Sequence, residues 1–308
     1  MMSQNTRQQI CTDSNFLFNP AIPGSEKFAA CKAWLLKWGE SNLPALRGLE
    51  FASPLRPESL TLIAYCFHTD ETCFERVELG ILQTWRCLGK YPLVIVADRL
   101  TDTLSRFNSQ HRDACKIIIS PTLQAGNPSS MNLDCIVNLY KYFSTPYCLI
   151  IQDDGFPIQA GIEKFLGRWD YVGAPFVRDK PWQFLADWLL INIENGGFCL
   201  RSHRICSATS QRYDALRDSL SESELRLEDW FYCHRARKNL IHRFRYRFAP
   251  AREARRFSFI DVEGLIDRHT LTAKPLGIHG PTTIWQFQDV LADDFGYTKV
   301  PMNEVLAQ

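Results

Sequence analysis

The sequence has no long apolar run, no Cys-x-x-Cys pair, no internal repeat, no low-complexity tract and no surplus of either charge sign. Each absence excludes something. Without an uninterrupted apolar stretch near the ~20 residues that cross a bilayer, no transmembrane helix is expected. The first twenty residues, MMSQNTRQQICTDSNFLFNP, also lack the charged start and continuous apolar core of a secretory leader, and none is expected. The eleven cysteines stand at 11, 31, 66, 73, 87, 115, 135, 148, 199, 206 and 233, never at the spacing of zinc ribbons or thiol redox motifs. An odd number of cysteines, mostly inside apolar runs such as Tyr147-Cys148-Leu149, reads as free buried thiols in a reducing compartment. The cytoplasm is the default location. With Lys+Arg 35 against Asp+Glu 34 there is no global field, so binding to nucleic acid or membrane would need a local basic patch.

What remains is an ordinary globular composition, 45% hydrophobic and 22% charged over 308 residues, enough for one large α/β domain. Residues 1–54 read as a polar arm plus a helix over 27–38, residues 55–290 as the main domain and 291–308 as a tail. Within the main domain, apolar runs at 60–67, 93–97, 116–119 and 147–151 alternate with helical spacing over 71–88 and 133–143. Continuous Val/Ile/Leu runs separated by helices point to a mostly parallel sheet covered on both faces.

The segment richest in chemistry is Tyr147-Cys148-Leu149-Ile150-Ile151-Gln152-Asp153-Asp154-Gly155, an apolar strand running into two adjacent carboxylates. Ligands of open α/β sheets bind beyond the carboxyl ends of the strands, where these acids fall. Adjacent carboxylates repel unless a cation or hydrogen-bond donors share them. On a continued strand the two would face opposite ways, so one is expected to bind directly. Asp-Asp-Gly is equally good turn chemistry.

Three further clusters follow. Asn195-Gly196-Gly197, ahead of Phe198-Cys199-Leu200-Arg201, lets backbone approach a ligand closely or simply makes a turn. Glu228-Asp229 opens a helix, where acids also serve as caps favoured by the helix dipole. His279, between Ile278 and Gly280, is a structural histidine or a ligand. Thr69 and Asp70 read as caps of a following helix, and Asp98-Arg99 as a loop ion pair or a polar contact for a nucleotide. Between 235 and 256 stand Arg235, Arg237, Lys238, Arg243, Arg245, Arg247, Arg252, Arg255 and Arg256. Their alternation with Phe244, Tyr246 and Phe248 suits an anionic acceptor, a membrane surface, a single-stranded nucleic acid, or a merely solvated face. Trp182, Phe184, Leu185 and Trp188 read as an acceptor platform or as core.

In order, Gln152-Asp153-Asp154, Asp170-Tyr171-Val172-Gly173-Ala174-Pro175, Asn195-Gly196-Gly197-Phe198-x-Leu200-Arg201, Glu228-Asp229-Trp230-Phe231 and Gly277-Ile278-His279 resemble the DUF5672 proteins, over roughly residues 60–285. That family in turn is similar to the GT-A nucleotide-sugar glycosyltransferases. The resemblance implies a single GT-A-like, Rossmann-like domain that moves a sugar from a nucleotide-sugar donor, UDP-sugar in first place, to a hydroxyl acceptor. By position it implies Mn²⁺ or Mg²⁺ held by Asp154 and His279, and donor contacts from Asp153, Asn195, Gly196 and Gly197. Asp229, or else Glu228, would be the base of an inverting reaction. Gln152 departs from the pattern, which has an acid there. An anionic glycan or lipid-linked acceptor at the membrane periphery is a further expectation, with nucleic acid ranked behind. Two other classes stay open: a non-catalytic nucleotide-, glycan- or nucleic-acid-binding module on the same fold, and a metal-dependent phosphoester hydrolase.

Overall fold

A computed structural model describes residues 24–68, 72–175, 194–219, 227–236, 245–260 and 274–306. Four strands, β1 (Leu60–Cys66), β2 (Leu93–Ala97), β3 (Cys115–Ile119) and β4 (Tyr147–Ile151), run parallel in the spatial order β3-β2-β1-β4. The chain is therefore mixed α/β with a mostly parallel central sheet. Two antiparallel strands complete six: β7 (Glu194–Ser202) pairs with β4, and β6 (Tyr171–Pro175) pairs with β7. A second sheet has the order β5-β9-β8, with β5 at Gly155–Pro157, β8 at Ser258–Ile260 and β9 at Gly277–His279.

Helices cover both faces of the large sheet. Helices α1 (Gly24–Arg47), α2 (Cys73–Leu88) and α3 (Asp102–Gln110) lie on the side where Leu62, Ile95 and Leu149 meet Trp34, Trp85 and Phe107. Helices α4 (Pro128–Val137) and α5 (His203–Leu216) lie on the other, where Ile63, Val94 and Ile150 meet Ile136 and Ile205. Every residue of β1, β2 and β4 is buried, which is why those runs are apolar without alternation. Edge strand β3 exposes Lys116 and Ile119.

Several boundaries differ from the sequence expectation, and the helix expected over 27–38 runs over Gly24–Arg47. The helix expected over 133–143 starts at Pro128, because Asn127 caps it by accepting from the Ser129 N–H and proline fits the first turn; it ends at Val137. Helix α2 starts at Cys73, and residues 69–71, with the expected caps Thr69 and Asp70, lie outside the described residues. The divisions at 54 and 290 are not packing boundaries. Trp34 Nε1 donates to the Val300 carbonyl at 2.6 Å, and Trp38 lies edge-on to Tyr297 at 5.2 Å and stacked over Phe156 at 6.4 Å. Helix α1 and the C-terminal residues share one core with the sheet.

This topology has a switch point between β1 and β4. The chain moves outward from β1 to β2 to β3, then returns to place β4 on the other side of β1, so the connections leave β1 and β4 in opposite directions. Ligands of doubly wound sheets bind at such a switch, outside the carboxyl ends.

Candidate active site at the carboxyl end of β4

After Ile151 the chain turns back on itself. Gln152 and Gly155 exchange backbone hydrogen bonds of 3.1 and 3.3 Å, so Asp153 and Asp154 occupy the two tip positions of a tight turn into β5. The turn sets both acids at the carboxyl end of β4. Gly155 pairs with His279 across β5 and β9, and the Gly280 N–H donates to the Asp154 carbonyl at 2.7 Å. These bonds bring His279 Nε2 within 3.2 Å of Asp154 Oδ1 and 3.4 Å of Gln152 Oε1. Residues 125 positions apart meet because one small sheet joins them.

The two aspartates go separate ways. Burial works against the Asp154 carboxylate, yet the charge and hydrogen bond of His279 outweigh it and hold the carboxyl below its ordinary range. Burial likewise opposes the His279 cation, and the Asp154 carboxylate overcomes it and raises the ring. Asp153 is pushed up to about 6, first by burial and then by the Asp154 charge. Its side chain is nonetheless 43% exposed, so solvent screens part of that effect. Asp153 Oδ2 stands 3.7 Å from Arg76 Nε, in the first turns of α2.

The glycines come from β7. Between the pairs Ala174↔Asn195 and Val172↔Leu200 the chain advances two residues on β6 and five on β7, a wide bulge centred on Gly196-Gly197. Asn195 Oδ1 accepts from the Gly197 N–H at 2.8 Å and holds its shape. The glycines face opposite ways. A Cβ on Gly197 would press on His279 and come within 2.6 Å of Gln152 Oε1; one on Gly196 would strike the Glu228 carboxylate and come within 2.7 Å of an Arg201 nitrogen. Only glycine permits this approach on both flanks.

On the Gly196 flank, Arg201 is wholly buried at 0% exposure and donates to Glu228 Oε1 at 2.6 Å. Glu228 Oε2 accepts from the Asp229 N–H at 2.7 Å, and Asp229 Oδ1 accepts from the Trp230 N–H at 2.6 Å. Among the described residues Asp229 Oδ2 has no hydrogen bond. Burial first, and the Glu228 charge second, push the Asp229 carboxyl up to about 7. Asp229 and His279 are close enough for each charge to stabilise the other.

Metal chemistry can be tested against this donor set. Among the described residues no three His, Cys, Asp or Glu side chains form a metal group. The three atoms that converge are a carboxylate oxygen, an imidazole nitrogen and the Gln152 amide oxygen, the last standing where an acid was expected. Cis ligands of an octahedral ion bound at about 2.1 Å lie about 3 Å apart, which the observed separations approach. Oxygen and imidazole donors suit Mn²⁺ or Mg²⁺, and the residues fit such an ion.

All eight residues expected at the site thus lie around the bulge: Asp153, Asp154 and His279 on one flank, Asn195, Gly196 and Gly197 in it, Glu228 and Asp229 on the other. Sequence reasoning missed Arg201 and Arg76 as site residues. An arginine ending the apolar run Phe198-Cys199-Leu200 was the available signal for the first; nothing local marks the second.

Other expectations fall elsewhere. His68 and Asp98, at the ends of β1 and β2, are buried together with Nδ1 and Oδ1 2.6 Å apart, and Asp98 also pairs with Arg99 at 3.2 Å. Arg245 and Arg247 are exposed and Tyr246 and Phe248 buried, so the expected alternation holds, although only Phe248 bridges to another strand. Arg247 meets Asp170, which accepts from Arg204 Nε at 2.6 Å and from the Arg247 N–H at 2.8 Å, and the Arg245 carbonyl accepts from the same Arg204. Asp170 adjoins Ser202, which pairs with Tyr147 at the opening of β4, about 16 Å from the acids along the strand. Arg245 and Arg247 therefore stand at the opposite end of the sheet from Asp229. Trp182, Phe184, Leu185, Trp188 and the arm before residue 24 lie outside the described residues, as do Arg237, Lys238, Arg243 and Phe244. The ten described cysteines form no disulfide with one another. No described helix is long and apolar enough to cross a membrane.

Fold and site together define an α/β protein whose acids, histidine and glycine bulge meet at the carboxyl end of a mostly parallel sheet. The chain belongs to the family described as protein of unknown function DUF5672, whose model matches residues 123–279. No curated protein matches it. Among solved structures it is similar to the mannosyltransferase PcManGT from Pyrobaculum calidifontis in complex with GDP-Man and Mn²⁺, at 12% identity and TM-score 0.32 over 59% of this chain and 55% of that one. S. aureus TarS 1-349 aligns at 13% identity and TM-score 0.32, over 57% and 55%. The mannosyltransferase Ktr4p from S. cerevisiae, in complex with GDP, aligns at 10% identity and TM-score 0.38, over 75% and 79%. The chain spans about half the length of the first two.

Proposed function

We propose that this protein is a divalent-cation-dependent glycosyltransferase that moves a sugar from a nucleotide-diphosphate donor, UDP-sugar in first place, to a hydroxyl acceptor with inversion. The observation that carries the reading is the meeting of Asp154, Gln152 and His279 on one flank of the glycine bulge with Asp229 on the other. Asp154, His279 and Gln152 would hold Mn²⁺ or Mg²⁺, which when bound would offset the negative charge growing on the diphosphate. Asp153, Asn195, Gly196 and Gly197 would contact the donor, with the bulge letting backbone lie along the sugar. The acceptor oxygen forms its bond to the anomeric carbon as its proton passes to Asp229 Oδ2. The bond from that carbon to the diphosphate oxygen breaks, and its electron pair leaves with the diphosphate. A base with pKa near the working pH is the most effective, and a value of about 7 suits Asp229. Glu228 has both oxygens engaged and is the poorer candidate.

Gln152 favours a second reading. An amide in place of an acid weakens the cation site, as a module that binds a donor without turning it over would tolerate. Thermal unfolding with UDP- and GDP-sugars, with and without Mn²⁺, separates the two. Stabilisation by one donor, slow sugar release and loss of both in excess EDTA is expected; stabilisation without release supports the module, and full turnover in EDTA rejects the cation. Turnover of simple phosphodiesters alone would instead indicate a hydrolase.

A further inference from the structure

Arg201 is the one arginine among the described residues that is wholly buried. Its guanidinium lies 4.3 Å from the Tyr232 ring centroid and 5.1 Å from that of Tyr171, and its remaining nitrogens face the Cys199 and Cys135 thiols at 3.1 Å. Glu228 is the carboxylate that meets it. Stability does not explain such a pair, because well-packed apolar residues of the same volume commonly serve a core at least as well. The pair also orders its neighbour. Arg201 fixes Glu228 Oε1, Glu228 Oε2 holds the Asp229 N–H, and Asp229 is left with one oxygen unbonded among the described residues. Gly196 completes the arrangement, since any side chain there would separate Arg201 from Glu228.

We propose that Arg201 is a positioning residue, fixing Glu228 so that it clamps the Asp229 backbone and presents the free Asp229 oxygen to the acceptor hydroxyl. The proposal rests on the glycosyltransferase reading for the identity of the acceptor, but not for the Arg201–Glu228–Asp229 linkage itself. Three charged groups act on Asp229: Glu228 holds its proton on, while Arg201 from β7 and His279 from β9 favour its release. Of the two partners in the pair, Glu228 acts more strongly. Removing both should therefore ease ionisation of Asp229.

The test uses the full chain with Arg201→Met and Glu228→Leu combined, which leaves no buried charge behind, and Glu228→Gln as a milder second variant. Carbon-13 labelling of aspartate lets the Asp229 carboxyl be titrated directly, and donor kinetics are followed where turnover exists. Expected are a downward move of the Asp229 titration in both variants, a fall in kcat of about 10²-fold in the double variant, and a donor KM within twofold. The acid limb of the rate profile should move down with the titration. A double variant that folds with unmoved titration and wild-type kcat overturns the proposal. Where the wild type turns over no donor, the glycosyltransferase reading fails separately. The Asp229 titration then decides the linkage alone: a downward move sustains it and an unmoved one ends it.

Discussion

At the scale of single residues, the site is a set of carboxylates whose surroundings pull their proton affinities apart. Asp154 is held low by His279, while Asp229 is raised to about 7 by burial and by Glu228. For Asp229 the sign of the stability effect follows directly. Its native value lies above that of the unfolded chain, about 3.9, so the native state binds the extra proton more tightly. The stabilisation this provides is present at low pH and lost as pH rises through about 7. Asp229→Asn should therefore match the wild type in stability near pH 4 and exceed it at pH 8, by on the order of a few kcal/mol in urea unfolding. The same variant should lose 10²- to 10⁴-fold in transfer rate while keeping donor binding. Equal stability of the two proteins at pH 8 would show that Asp229 is not held as a strained carboxyl. Replacing Gln152 by Asp acts on the other flank: a carboxylate beside Asp154 and His279 should tighten Mn²⁺ binding about tenfold, read by calorimetry. No change would place Gln152 outside the cation site.

At the scale of elements, the β7 bulge joins these flanks, and it sets how far the sequence could be read. The apolar runs of β2 and β4 showed their limits to the residue, because strands buried on both faces admit nothing but apolar side chains. The eight candidate residues were legible through order and residue type, since acids after a strand, paired glycines and a late histidine each mark a place where backbone or charge meets something. Their mutual geometry was not. A bulge of three extra residues depends on which β6 residues pair with β7, a long-range fact that no local spacing records. The partnership of Arg201 with Glu228 was hidden for the same reason. The bulge makes a clean prediction. Gly196→Ala forces a methyl against an immobile ion pair and should cost about 1–3 kcal/mol in unfolding free energy. Gly197→Ala presses on His279 and Gln152 instead, and should chiefly abolish Mn²⁺ binding. If Gly197→Ala binds Mn²⁺ as the wild type does, the bulge is not the wall of the cation site.

At the scale of the whole molecule, helix α1 and the last described helix brace the strand that carries His279. Helix α1 packs on the short helix Pro281–Gln286 that directly follows β9, and on the C-terminal helix Met302–Leu306. Trp34 and Trp38 stack at 5.7 Å in that layer, and Trp38 reaches Phe156 in β5, the strand paired with β9. The position of His279 over Asp154 thus depends on residues that the sequence reading set apart from the main domain, as an arm with its helix and a tail. Trp34→Ala removes a fully buried indole and its bond to Val300, which should cost about 3–5 kcal/mol. The location of that loss matters more than its size. If α1 and the C-terminal helix brace β9, hydrogen exchange in Trp34→Ala should accelerate at Ile278 and His279 and leave the β1–β2 ladder protected. Acceleration confined to α1, with β9 unchanged, would mean that the sheet holds the histidine unaided and that the terminal helices only cover it.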